Sequence, residues 1–196
     1  MAAIEALAER PLRQRWLLLA ASLAISLAAL VAVTLLALTD PGRATLEDLS
    51  RSPIGLLVLF VVSALSTATV LLPAPGMALT FVAGMGGEPV VVGIVAGVGQ
   101  GVGEMTGYLA GLAGAATLAS QARLARPVAW LQRHGAGLIF LLALLPNPFF
   151  DVAGLAAGAL GMRLRLFLAA VIAGRVIKSL LLAFLGDGWL NLLIGG

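Results

Sequence analysis

The chain has 196 residues, 61% of them hydrophobic and 11% charged, with a mean hydropathy of +1.08. A soluble domain carries about 25% charged residues, so this composition describes an integral membrane protein. One histidine and no cysteine exclude disulfides and a His/Cys metal cluster, and a formal charge of +3 without a long basic run offers no nucleic-acid surface.

In chain order, the cytoplasmic segment 1–15 ends in "RPLRQR", and residues 16–38 are 23 uncharged positions. That exceeds the roughly 7–15-residue core of a signal peptide, and at ~1.5 Å per residue it crosses the ~30 Å bilayer core. A first transmembrane helix is expected there. The polar connector 39–53 ("TDPGRATLEDLSRSP") reads as a short surface helix capped by Asp40 or Thr45, with Glu47 and Asp48 early in it. Apolar sequence runs through 54–72, breaks at Pro73 and Pro75, and ends in the notch "GGEP" at 86–89, where Glu88 is the only charge. A glycine-dense span follows at 90–116. The stretch 118–135 reads as an interfacial amphipathic helix, with its arginines at head groups, Trp130 at the acyl boundary and His134 solvated. Segment 138–161 breaks at Pro146 and Pro148, and a last span at 164–185 precedes a short tail, 187–196.

The arginines orient these segments, because cytoplasmic loops are enriched in Arg and Lys. Arg10, Arg13 and Arg15 put the N-terminus inside. Arg123, Arg126 and Arg133 precede the second proline break, and Arg163 and Arg165 follow it. A segment whose two ends share a side dips in and returns, and proline, which lacks a donor and cannot continue a helix, marks the turn. If 54–87 is an equivalent hairpin entering from outside, eight basic residues lie inside, two outside and two within spans. A full crossing by 54–72 is the alternative; it puts five arginines on the wrong face.

Two units result, each a re-entrant Pro-x-Pro hairpin (54–87, 138–161) plus a spanning helix (90–116, 164–185). Pro73 to Pro146 and Gly101 to Gly174 are both separated by 73 residues. The fold class is therefore an all-α polytopic membrane protein with an inverted repeat and an additional N-terminal helix. Broken helices that meet near the midplane are a transporter arrangement, and non-helical backbone at that depth needs protein or water around it.

Glu104, Asp151, Arg175 and Lys178 fall inside these apolar segments, where each alone costs a few kcal/mol. Arg175 and Lys178 share a helix face. The four suggest a hydrated, charged cavity for an anionic head group or a proton; the plain alternative is a buried ion network that holds the bundle together. Asn147 sits between the two prolines of the second break and can bond freed carbonyls, Tyr108 is one turn from Glu104 and within reach of it, and Thr80 and Thr106 are expected to bond backbone. Glycines at 99, 103, 107 and 111, with 93, 97 and 101, suit close helix packing, internally or in a homodimer. No nucleophile–base pair and no metal set is legible, so neither an enzyme nor a cofactor is expected.

The segment 144–179, "LLPNPFFDVAGLAAGALGMRLRLFLAAVIAGRVIKS", resembles the C-terminal signature of the DedA family, also called VTT-domain or SNARE-associated Golgi proteins, and "LLPAPGMALTFVAG" and "GVGEMTGYLAG" resemble its N-terminal half. The resemblance covers about 54–186. It implies two re-entrant hairpins with lipid transport as the activity: undecaprenyl-phosphate recycling in bacteria or phospholipid scrambling in eukaryotes, often coupled to the proton-motive force. By position, Glu104 fits the family's acidic residue, Asp151 the hairpin acidic residue and Arg175 the basic residue after glycine. "PAPGM" lacks the Ser-Glu of many bacterial members and "LLPNPFF" lacks their arginines. These departures favour the scramblase-like branch over polyprenyl-phosphate recognition. Membrane lipids are the expected partners and a bacterial inner membrane the expected location. A proton- or cation-coupled solute transporter and a structural assembly protein are the competing readings.

Overall fold

A computed structural model of the chain describes residues 35, 39–68, 74–114, 125–145 and 150–194. Apart from Leu35, the helix expected at 16–38 lies outside the described residues, as do Pro73, Pro146, Asn147 and Pro148. All regular elements among the described residues are helices.

Helix α1 (Asp40–Arg51) starts on Thr39, whose Oγ1 accepts a 3.2 Å bond from the Gly42 N–H. Neither Asp40 nor Thr45 provides the cap: the Thr45 hydroxyl bonds the Pro41 carbonyl instead, at 2.8 Å. Glu47 and Asp48 consequently fall in the second half of the helix, not near its start. Ser52 serves two helices. Its N–H reaches the Asp48 carbonyl at 3.0 Å, and its hydroxyl accepts the Gly55 N–H at 3.0 Å at the head of α2 (Pro53–Ala68). Proline at the first helical position sacrifices no bond, since that N–H has no intrahelical partner anyway.

After the first proline break the chain folds back as α3 (Ala74–Gly86), with Pro75 in its first turn. Gly76 lies against Ser66, Leu59 and Ala83 share one apolar cluster, and Gly87 reaches Ser50. At ~1.5 Å per residue the 16 residues of α2 and 13 of α3 extend about 24 and 20 Å. Both are shorter than the ~30 Å hydrocarbon core.

Glu88 is an exposed N-cap without a side-chain bond, and Pro89 opens the next path. The helix read over 90–116 is present as a 25-residue path, Pro89–Ala113, made of α4 (Pro89–Gly103) and α5 (Met105–Ala113) that continue through a turn at Glu104. Helix α6 (Ala125–Leu144) is continuous through the boundary expected between an interfacial helix at 118–135 and a hairpin arm from 138. Nothing between Arg133 and Leu138 breaks a helix except glycines, which helices tolerate at about 1 kcal/mol each. After the second proline break, α7 (Phe150–Ala159) returns until Gly135 faces Met162. Gly161, with φ 64°, closes α7 in a Schellman turn: its N–H bonds Gly158 and the Met162 N–H bonds Ala157, both at 3.0 Å.

Helix α8 (Leu164–Ile194) continues through most of the tail expected at 187–196. Gly186 does not end it, because its bare Cα packs directly on the Phe81 carbonyl of α3, where a Cβ could not fit. Two helical paths are long and apolar enough to cross a membrane: Pro89–Ala113, 25 residues at mean hydropathy 1.3, and Leu164–Leu192, 29 residues at 2.0.

These two paths cross antiparallel. Gly93 abuts Leu180, Gly97 abuts Val176 and Gly101 abuts Ile172, so each step up α4 is a step down α8. Helix α2 runs alongside α4 in the same direction, Phe60 against Gly99 and Ala64 against Gly103. The remaining packing is exchanged between the halves. The returning arm α3 rests on α8, the returning arm α7 rests on α5, and the first arms α2 and α6 stay with α4 and α8 respectively. Three apolar clusters result among the described residues, the smallest of them Met85 and Leu190 with Phe81 against them. Another joins Leu59, Ala83, Val92, Ala96 and Ala183; the largest is built around Ile139, Phe150, Phe167 and Tyr108. Large apolar side chains such as Ile54, Leu65, Ile94, Leu109, Leu181 and Phe184 cover the outside. Such a surface suits lipid and would be a liability in water.

Candidate functional site: a polar seam at the helix crossing

The glycine contacts bring α4 and α8 close enough for a second, polar ladder to form beside them. Glu104 and Arg175 are ion-paired, and one turn away the Gln100 amide donates to the Ser179 hydroxyl at 3.2 Å. Each rung spans the same antiparallel register, since 100 pairs with 179 and 104 with 175. Gln100 and Glu104 are the twelfth and sixteenth of the 25 residues from Pro89 to Ala113, at the middle of the span. There an unpaired charge costs roughly 2.5–3.5 kcal/mol or more. Glu104 is 3% exposed and the Arg175 side chain 12%, so pairing is a condition for either to be ionised in place.

The Arg175 guanidinium also stacks over the Phe150 ring, 4.6 Å from its centroid. Phe150 is the first residue of α7 after the second proline break, so Arg175 connects three elements: α8, α4 and the entry of α7. Its Nε has no hydrogen-bond partner. Lys178, one turn further along α8, is 6% exposed and has no hydrogen-bond or ion-pair partner among the described residues. The described buried charges are thus two cations and one carboxylate.

Tyr108 extends the same face of the α4–α5 path, four residues beyond Glu104. Its hydroxyl does not bond Glu104, as its spacing suggests; it donates to the Met162 carbonyl, which the Schellman turn holds above it. The ring packs on Phe167 at 4.9 Å between centroids. Thr80 bonds the Gly76 carbonyl, and Thr106 bonds the Gly103 carbonyl and the Ala68 carbonyl at the end of α2. Asp151 lies in the first turn of α7, but its side chain, like those of Pro75, Trp130 and His134, is outside the described residues. Asn147 and the breakers Pro73, Pro146 and Pro148 are outside them entirely.

Three contributors are not legible as a set in the sequence: Gln100, Ser179 and Phe150. The i, i+4 spacing of Gln100 to Glu104 and of Arg175 to Ser179 is a signal for two of them. Phe150 carries none, because only the fold brings it over a guanidinium. No group of three or more His, Cys, Asp or Glu side chains able to hold a metal occurs among the described residues.

The VTT domain family matches residues 74–188, from the start of α3 to within α8 and including both rungs of the polar seam, Gln100–Ser179 and Glu104–Arg175. That is more than half of the chain. The chain belongs to the VTT-domain, or DedA, family. This is a family of membrane proteins of transporter or flippase type, which agrees with the two spanning-length helices. Helix α2, which packs alongside α4, precedes the matched part of the VTT domain. No curated protein and no solved structure matches the chain.

Proposed function

We propose that this VTT-domain protein moves phospholipid, or a polyprenyl phosphate, between membrane leaflets, with the head group passing the polar seam while the tails stay in lipid. One observation carries the reading: Lys178 is buried beside the Glu104–Arg175 pair with no hydrogen bond or salt bridge among the described residues, and the single Glu104 carboxylate is shared between it and Arg175. A buried ammonium is costly unless an anion neutralises it. The phosphate of a lipid head group is an anion that reaches the bilayer interior with its own apolar chains. Asn147 and Asp151, next to the second break, are the proposed further polar lining, and the proline breaks at Pro73, Pro75, Pro146 and Pro148 are the proposed tips of hairpins that dip in from opposite faces. The short α2 and α3, the antiparallel crossing and the exchanged packing of the returning arms support that arrangement. The proposed setting is a bacterial inner membrane with the N-terminus in the cytoplasm.

Purified protein in vesicles should accelerate exchange of a fluorescent phospholipid between leaflets. A charge-assisted contact is worth about 1.5–3 kcal/mol, so Lys178→Gln should slow exchange by about tenfold or more. Wild-type vesicles indistinguishable from protein-free ones, across several lipids and with a pH gradient imposed, would dismiss the proposal. Proton flux without lipid movement would instead select a coupled solute transporter.

The hairpin arrangement has its own test, since the chain contains no cysteine. Glu88→Cys and Gly135→Cys should be labelled by an impermeant thiol reagent from opposite sides of the membrane. Labelling from one side only would remove the opposed hairpins.

A further inference from the structure

The polar seam contains more bonding capacity than protein groups use. Gln100 is 1% exposed and Ser63 is fully buried, yet Gln100 Oε1 and Ser63 Oγ have no hydrogen-bond partner among the described residues. Ser179, also fully buried, accepts the Gln100 amide and donates to no described residue. Neighbouring hydroxyls behave differently. Ser66 bonds the Val62 carbonyl at 2.7 Å, Thr67 bonds the Gln100 carbonyl at 2.9 Å, and Thr80 bonds the Gly76 carbonyl at 2.8 Å. A helical serine in an apolar setting ordinarily bonds back to the preceding turn in this way, and Ser63 does not. The three under-used groups come from three helices, α2, α4 and α8, at neighbouring levels of the crossing. Ser63 sits against Gly99, next to Gln100, and Gln100 touches Ser179.

We propose that Ser63, Gln100 and Ser179 line a buried water-binding site beside the Glu104–Arg175 pair, at the middle of the span. Each orphaned buried polar group costs about 1–3 kcal/mol. A buried water makes about three hydrogen bonds to otherwise unsatisfied groups, and here an amide oxygen and two hydroxyls supply that number. The site accepts water or hydronium and is sealed from the Pro89 end by the apolar cluster of Leu59, Ala83, Val92, Ala96 and Ala183. It wets one flank of the ion pair, giving a passing proton or head group a solvating contact at the depth where lipid offers none. The site stands on the orphaned groups alone and does not require that the protein move lipid.

Methanethiosulfonate reagents attack the thiolate, which forms only where water reaches the sulfur. Ser63→Cys and Ser179→Cys, each near-isosteric and placed in a chain without native cysteine, are to be reacted with the small aminoethyl reagent in proteoliposomes. The references are Ala96→Cys, one turn before Gln100, and Ala143→Cys, both fully buried in the apolar clusters. At least one serine-site thiol should react roughly tenfold faster than both references. Serine-site thiols as slow as the references in folded protein, with all four reacting after denaturation, would overturn the water site. Labelling is measured on resting vesicles, so its failure and a failure of lipid exchange are read separately.

Discussion

Glu104→Met should be the most destabilising single substitution in the polar seam, lowering stability by about 3–5 kcal/mol, the usual consequence of removing one member of a buried ion pair. It leaves Arg175 and Lys178, one turn apart, without the carboxylate that Arg175 now holds. Arg175→Met should cost less, because Lys178 remains near Glu104 as a substitute cation. The double variant, which deletes one charge of each sign, should recover most of the loss, since apolar replacement of a whole buried pair is often neutral or stabilising. Thermal unfolding in detergent reads the three stabilities as a double-mutant cycle, and vesicle lipid exchange reads the function. The expected combination is a double variant that is folded and inactive. A folded double variant with full lipid exchange would make the pair a scaffold and end its assignment to the transport path.

Helix contact makes the second large prediction. A Cβ on Gly97 would fall within the Val176 backbone, and one on Gly158 would overlap the Tyr108 carbonyl. Gly97→Val should force α4 and α8 apart and misalign both polar rungs; Gly158→Val should lift α7 off α5 and displace Tyr108 from Met162. Overpacking of this kind costs about 1–3 kcal/mol or more at each site, and the obstruction is backbone, which cannot rotate away. Gly107 and Gly137 have no atom within 4 Å of a built Cβ. Gly107→Ala and Gly137→Ala should therefore be neutral or stabilise by up to about 1 kcal/mol through helix propensity. The fraction of monodisperse protein after extraction, with its thermal midpoint, checks all four. Equal tolerance of valine at Gly97 and alanine at Gly107 would contradict the close crossing.

The glycine contrast shows where sequence reading reaches its end. Glycines at 99, 103, 107 and 111 look alike as a stripe, yet Gly99, Gly103 and Gly111 abut a neighbouring helix and Gly107 faces open space. A period of four describes one helix's surface and says nothing about what lies across from it. The same holds for Tyr108, whose spacing points to Glu104 and whose hydroxyl goes to a carbonyl 54 residues away. The extension of α8 beyond 185 is hidden for a related reason: Gly186 looks like a stop, and its contact with the Phe81 carbonyl is visible only in the fold.

Composition alone determined that this chain belongs in a membrane, because too few charges are present to hold such apolar segments in water. The prolines marked two places where a helix is not expected to continue, and the apolar surroundings of Glu104 and Arg175 required each to find an opposite charge. Those are properties of residues and their immediate neighbours, and they survive any arrangement of the helices. Only the tertiary structure decided which charge meets which, that Lys178 has no salt bridge among the described residues, that Phe150 covers Arg175, and that Ser63 and Gln100 are buried with bonds to spare. The physical reason is register: two antiparallel helices set one residue opposite another by the point at which they cross, and that point is chosen by glycines that admit a partner backbone, not by the polar residues that benefit from it.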